Sequence, residues 1–245
     1  MFHKRNLVPS LFTMLNLFFG FFAIVNTLQG KYVTASWMII IAALWDALDG
    51  KIARKTHSFS EFGIQFDSLA DAVSFGVAPA VLIYRVFYYK LAAPGMILAF
   101  LPLLFGVIRL ARFNANMDGF EKENFSGLPI PAMATTISTY VLFNYDLWEG
   151  LRYEPFLIPL VLFLSFLMVS NVEYETVPKF SFRDTKKNSI QLAIMLLAMT
   201  VIVVFRERVM FPMTLGFVLY FFIRSIILGH KDEEDEEIFD ISLPD

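Results

Sequence analysis

Four aspartates, Asp46, Asp49, Asp67 and Asp71, stand near one another in a chain otherwise poor in charge. Asp46 and Asp49 are three residues apart, and Asp67 and Asp71 are four apart, so each pair shares one face of a helix. A short connection, roughly residues 55–62, joins the two segments. They should therefore pack as antiparallel neighbours, with all four carboxylates converging in one pocket. Carboxylates this close repel, so some must be protonated or balanced by cations. The chain has no cysteine, and His57, the one imidazole nearby, reads as a solvated loop residue. The donors are then all oxygen, which suits a hard divalent cation, Mg²⁺ or Mn²⁺. Ions held in this way keep positions open for substrate phosphates. That points to phosphoryl or phosphatidyl transfer, with one carboxylate free to act as base. Gly50, Ala53 and Gly63 keep the neighbouring surface small enough for helix approach or a nucleotide. Arg54 adds a cation suited to a phosphate or a carboxylate.

The elements that carry these residues are membrane helices. Of 245 residues, 57% are hydrophobic and 18% charged, against about a quarter charged in soluble domains. Mean hydropathy is +0.59. Several apolar runs approach the ~20 residues needed to cross hydrocarbon. The expected architecture is an all-α integral membrane bundle of about eight spans, near 9–28, 33–53, 65–89, 95–115, 129–147, 155–172, 189–205 and 209–228. With the N-terminus in the cytoplasm, fourteen Lys and Arg fall on the inner side and six on the outer. The positive-inside rule thus places both termini in the cytoplasm of a cell or inner membrane. The acid pocket then sits at the cytoplasmic end of spans two and three. The basic start, MFHKRNLVPS, reads as the flank of a retained first span, not as a cleaved leader.

The stretch Asp46-Ala-Leu-Asp49-Gly50-Lys-Ile-Ala53-Arg54, then eight residues, then Gly63-Ile-Gln-Phe-Asp67-Ser-Leu-Ala-Asp71 resembles the signature of the CDP-alcohol phosphatidyltransferases. All eight fixed positions match. With each residue type at about a twentieth of the chain, chance agreement is on the order of 10⁻⁸. The resemblance implies a membrane-embedded helical enzyme, usually a homodimer, with two metal ions beneath a CDP-linked lipid. Carried over by position, Asp46, Asp49 and Asp67 would be metal ligands. Asp71 would be the general base and would also touch the second ion. Gly50, Ala53, Arg54 and Gly63 would line the nucleotide site.

Three further stretches, residues 67–80, Arg109-Leu-Ala-Arg112-Phe-Asn114 and 125–132, resemble the serine-accepting branch of that family. The expected substrates are CDP-diacylglycerol and L-serine, with membrane lipids around the protein and no nucleic-acid partner. A serine site needs a cation for the carboxylate, which Arg109 or Arg112 would supply, and an acceptor for the ammonium, near Asn114. Equally, the two arginines would serve as positive-inside anchors. The turn Leu128-Pro129-Ile130-Pro131 reads as a plain helix start. Asn16 and Asn26 in the first span are expected to bond to neighbouring helices. Glycerol 3-phosphate or inositol phosphate are the alternative acceptors. A divalent-cation transporter is the alternative class, since intramembrane acids also mark ion paths, although here the acids gather at one end. The membrane domain is expected over 1–230. Residues 231–245 hold eight of the 23 acids and are expected to form a disordered, solvated cytoplasmic tail.

Overall fold

The computed structural model describes residues 7–56, 61–115, 127–172 and 204–241, with positions 174, 193 and 200–202. Side chains are described within 11–50, 61–115, 127–172 and 204–227 and at those isolated positions. Among the described residues the secondary structure is helical, with no strand. Helix α1 (Leu7–Leu28) turns into α2 (Tyr32–Thr56), and α3 (Glu61–Asp71) follows. A π-helical turn over Ala72–Val77 links α3 to α4 (Ala78–Val86). Then come α5 (Ala92–Ala115), α6 (Ile130–Trp148), α7 (Leu157–Val169) and α8 (Glu207–Ile241).

Among the described residues, five stretches are long and apolar enough to cross a membrane: Leu11–Leu28, Tyr32–Gly50, Glu61–Val86, Tyr88–Ala115 and Glu207–Ile227. They coincide with five of the eight expected spans. The expected fifth is α6, which has the length but carries Thr135, Thr136, Ser138 and Thr139 and is more polar. The sixth is the shorter apolar stretch Glu154–Val169. Most of the seventh falls outside the described residues. The last helix runs on to Ile241, into the stretch where composition suggests a disordered tail. Its acids include Glu233, Glu234, Glu236 and Glu237, which are good helix formers.

Helix α1 packs chiefly on α2, with α3 and the π-helical turn along its side. The α1–α2 connection is a Schellman motif: Gly30, at φ +76°, donates to Thr27 O and Lys31 donates to Asn26 O. Glycine suits that left-handed position because it has no Cβ to clash. The short turn makes α1 and α2 antiparallel, so the N-terminal half of α1 lies beside the C-terminal half of α2, where the acids are. A buried core of Phe75, Leu82, Ile83, Met133, Ile137 and Leu164 joins α4, α6 and α7 behind them. Facing outward are Phe18, Phe21, Ile97, Phe100, Tyr220 and Ile223, a lipid-compatible surface.

Candidate active site

The carboxylate site is built from the C-terminal halves of α2 and α3. One carboxylate oxygen from each of Asp46, Asp67 and Asp71 lies within 4.8 Å of the others. The i, i+4 spacing puts Asp67 and Asp71 on one face of α3, and the antiparallel return brings Asp46 opposite. Asp49 lies outside this close set, within electrostatic reach of Asp67. Asp49 and Asp71 are almost fully buried, at 6% and 7% exposure. Asp46 and Asp67 are half-buried.

The acids fit a divalent cation on the structure's own terms. Asp49 Oδ1 and Asp67 Oδ1 are buried acceptors with no hydrogen-bond partner. Unpaired buried charge of this kind is costly, whereas a cation would satisfy it directly. Among the described residues the cluster is oxygen-only, the donor set a hard divalent ion takes.

Helix α1 supplies contacts that the sequence pattern did not disclose. The Thr13 hydroxyl donates to Asp49 Oδ2, and Asn16 Nδ2 donates to Asp71 Oδ1 at 2.9 Å. Thr13 and Asn16 are themselves buried. Asn16 is visible in the sequence as a polar residue in an apolar run and is expected there to bond a neighbouring helix, as it does. No local spacing, however, names a partner 55 residues away. The same holds for Thr13 and Asp49, 36 residues apart.

From α5, Arg109 reaches the site. It is 7% exposed, its Nε has no hydrogen-bond partner, and its charge lies within electrostatic reach of Asp71. Arg112, one turn on, is half-buried and points Nη1 at the Val169 carbonyl at 3.4 Å, at the end of α7. Asn114 donates to the Ser68 hydroxyl at 2.9 Å, tying the end of α5 to α3. The structure thus brings Arg109 to the acids, and holds Arg112 and Asn114 beside them in contact with α7 and α3.

The other expected site residues are less fully placed. Gly50 lies next to Asp49 in α2, and Gly63 one turn before Asp67 in α3, both half-buried. Ala53 and Arg54 continue α2, but their side chains, like all of His57, lie outside the described set. Pro129 and Pro131 begin α6, so Leu128–Pro131 is the plain helix start the sequence suggests. Ahead of it Gly127, at φ +87°, donates to Val172 O at 2.9 Å, and Leu128 donates to Leu167 O at 2.9 Å. These bonds fasten the start of α6 to the end of α7.

Relatives of known kind are similar to this chain over most of its length. The chain is 36% identical over 228 residues to a CDP-diacylglycerol–serine O-phosphatidyltransferase of Helicobacter pylori J99, covering 92% of this chain and 93% of that protein. It is 38% identical over 175 residues to archaetidylserine synthase of Methanothermobacter thermautotrophicus, 69% of this chain and 70% of that protein. Over 165 residues it is 39% identical to the CDP-diacylglycerol–serine O-phosphatidyltransferase of Saccharomyces cerevisiae, 61% of this chain and 58% of that protein. Residues 6–169 match the CDP-alcohol phosphatidyltransferase family; they include every element that builds the acid cluster, and the chain belongs to that family.

Proposed function

We propose that this protein is a phosphatidylserine synthase: it transfers the phosphatidyl group of CDP-diacylglycerol to the hydroxyl of L-serine and releases CMP. The observation that carries this reading is the convergence of Asp46, Asp67 and Asp71 within 4.8 Å in a chain similar over nine-tenths of its length to serine-using relatives.

The family resemblance suggests the roles, and the site's geometry supports them. Asp46, Asp49 and Asp67, with Asp71, would hold the divalent cation that this family requires, as two Mg²⁺ or Mn²⁺ ions. When bound, the cation neutralises charge on the substrate diphosphate. Asp71 takes the proton from the serine hydroxyl. The serine oxygen forms its bond to the phosphorus that carries the diacylglycerol, and the bond from that phosphorus to the CMP oxygen breaks. Arg109 is the better placed of the two arginines for the serine carboxylate, because it lies beside Asp71 with an unpaired Nε. Gly50, Ala53, Arg54 and Gly63 would line the nucleotide. The enzyme would sit in a cell or inner membrane as a homodimer, its membrane domain over 1–230, with the site and both termini on the cytoplasmic side.

The test is an acceptor screen on purified, reconstituted protein. With CDP-diacylglycerol, CMP release should require serine and should not be supported by glycerol 3-phosphate, inositol phosphate or water. A chelator should stop turnover, and Mg²⁺ or Mn²⁺ should restore it. Preference for another acceptor overturns the serine assignment; full activity without metal overturns the metal site.

A further inference from the structure

We infer that α1 belongs to the catalytic apparatus as a positioning element, in which Thr13 orients Asp49 and Asn16 orients Asp71 for the divalent cation and the proton transfer. The inference rests on the reading above that these acids hold the cation.

The polar side chains described in α1 divide into two kinds. In the half of α1 away from the acids, Asn26 Nδ2 donates to its own helix at Phe22 O, 2.8 Å, and the Thr27 hydroxyl donates to Ala23 O, 2.9 Å. That is how such residues usually satisfy themselves inside a membrane bundle. In the half beside the acids, Thr13 and Asn16 reach across to other helices, and each donates to a carboxylate. Asn16 does so at a cost to itself, since its Oδ1 is buried without a partner. A residue placed only to be satisfied would not leave that oxygen bare.

Short side chains can reach across only where backbones come close, and α1 is shaped for that. The Ser74 hydroxyl, in the π-helical turn just after Asp71, donates to Asn16 O at 2.9 Å. One turn along α1, Gly20 lies against Ser74 so tightly that a Cβ there would clash with it. π-helical turns concentrate at functional sites, where they shift the register of the helix. The same contact therefore ties three things together: the close approach of α1, the Asn16 backbone, and the turn that follows Asp71.

The consequence is geometric. Each donor engages one oxygen of its carboxylate and so fixes the plane of the group. Asp49 is left with Oδ1, buried and unpartnered, as its free ligand atom. For Asp71, occupation of Oδ1 directs proton uptake to Oδ2. Hydrogen bonds that orient ligating side chains are typically worth 10–100-fold in metal affinity or activity.

The experiment measures Mn²⁺ binding directly, by the loss of the free-ion electron paramagnetic resonance signal, on metal-stripped full-length protein in lipid nanodiscs. Turnover at saturating Mn²⁺ is measured in parallel. Thr13→Val and Asn16→Leu should bind Mn²⁺ 10–100-fold more weakly than the parent, with kcat lowered and the KM for CDP-diacylglycerol little changed. Thr13→Ser, which keeps the hydroxyl, should bind like the parent. Thr27→Val and Asn26→Leu remove a buried and a part-buried bond from the same helix and should leave Mn²⁺ affinity untouched, whatever they do to thermal stability. If Thr13→Val does not insert, Thr13→Ala takes its place. Parent-like Mn²⁺ affinity in both the Thr13 and Asn16 variants overturns the positioning role while leaving the metal site intact. A parent protein that binds no Mn²⁺, and is unaltered in this by Asp67→Asn, overturns the metal site and this inference with it.

Discussion

Asp71 and Arg109 lie within electrostatic reach of each other in a part of the protein where every charge must be compensated. A charged side chain within a membrane costs about 2.5–3.5 kcal/mol even on permissive scales, yet both are more than nine-tenths buried. Their proximity offsets part of that cost and also suggests separate duties. If Asp71 is the base, as proposed, Asp71→Asn cannot accept the serine proton, so turnover should fall by about 10²–10⁴, while CDP-diacylglycerol still binds in an equilibrium assay. Turnover within tenfold of the parent would give the proton to another group. If Arg109 holds the serine carboxylate, as proposed, Arg109→Ala removes a contact to one substrate only. The KM for serine should rise roughly tenfold to a hundredfold, with the KM for CDP-diacylglycerol nearly unchanged. Arg112→Ala should do less, since that guanidinium already points at the Val169 carbonyl. The sequence alone leaves these arginines equivalent, because they are three residues apart on one helix. Which of them faces the acids depends on how α5 is rotated in the bundle.

At the scale of elements, close approaches decide the site. α1 reaches the acids because Gly20 accommodates Ser74, and α6 begins where it does because Gly127 accommodates α7. At φ +87° a side chain at 127 is strained, and an added Cβ would collide with the Met168 carbonyl oxygen. Gly127→Ala should therefore destabilise the protein by about 1–3 kcal/mol and lower its melting temperature in a detergent or nanodisc melt. Parent-like melting would mean the turn relaxes around the methyl group. The π-helical turn at Ala72–Val77 is an element that hydropathy does not reveal. The apolar pattern reads through 65–89 as one span, and only the packing shows the widened turn directly after Asp71. The sequence places the start of α6 well, because prolines at a helix start act locally; the bonds that anchor that start to α7 involve residues about 40 positions further on.

Among the described residues, five apolar spans, a single close cluster of acids and two ion pairs between residues distant in sequence account for much of the layout. Lys90–Glu154, at 2.6 Å, and Arg208–Asp146, at 2.8 Å, both tie connections at the end of the bundle away from the acids. The absence of cysteine makes orientation directly testable. Lys31, just before α2, and Glu61, at the start of α3, are both exposed. In Lys31→Cys, an impermeant maleimide should label intact spheroplasts. In Glu61→Cys, it should label only after permeabilisation. The reverse pattern would put the acids on the outer face and overturn the cytoplasmic assignment.

The class of the protein and the identity of its acids are written locally. Hydropathy over about twenty residues defines a span, and spacings of three and four put Asp46 with Asp49 and Asp67 with Asp71 on single faces. The eight-position signature sits within 26 consecutive residues, so folding adds little to its recognition. What needed the folded chain was the partition of the four carboxylates. Asp46, Asp67 and Asp71 close into one set, Asp49 is taken by Thr13, and Asp71 is steadied by Asn16. Those pairings span 36 and 55 residues and depend on the rotation of α1 against α2 and α3, set by glycine contacts and a π-helical turn. Periodicity within one helix carries no information about that rotation.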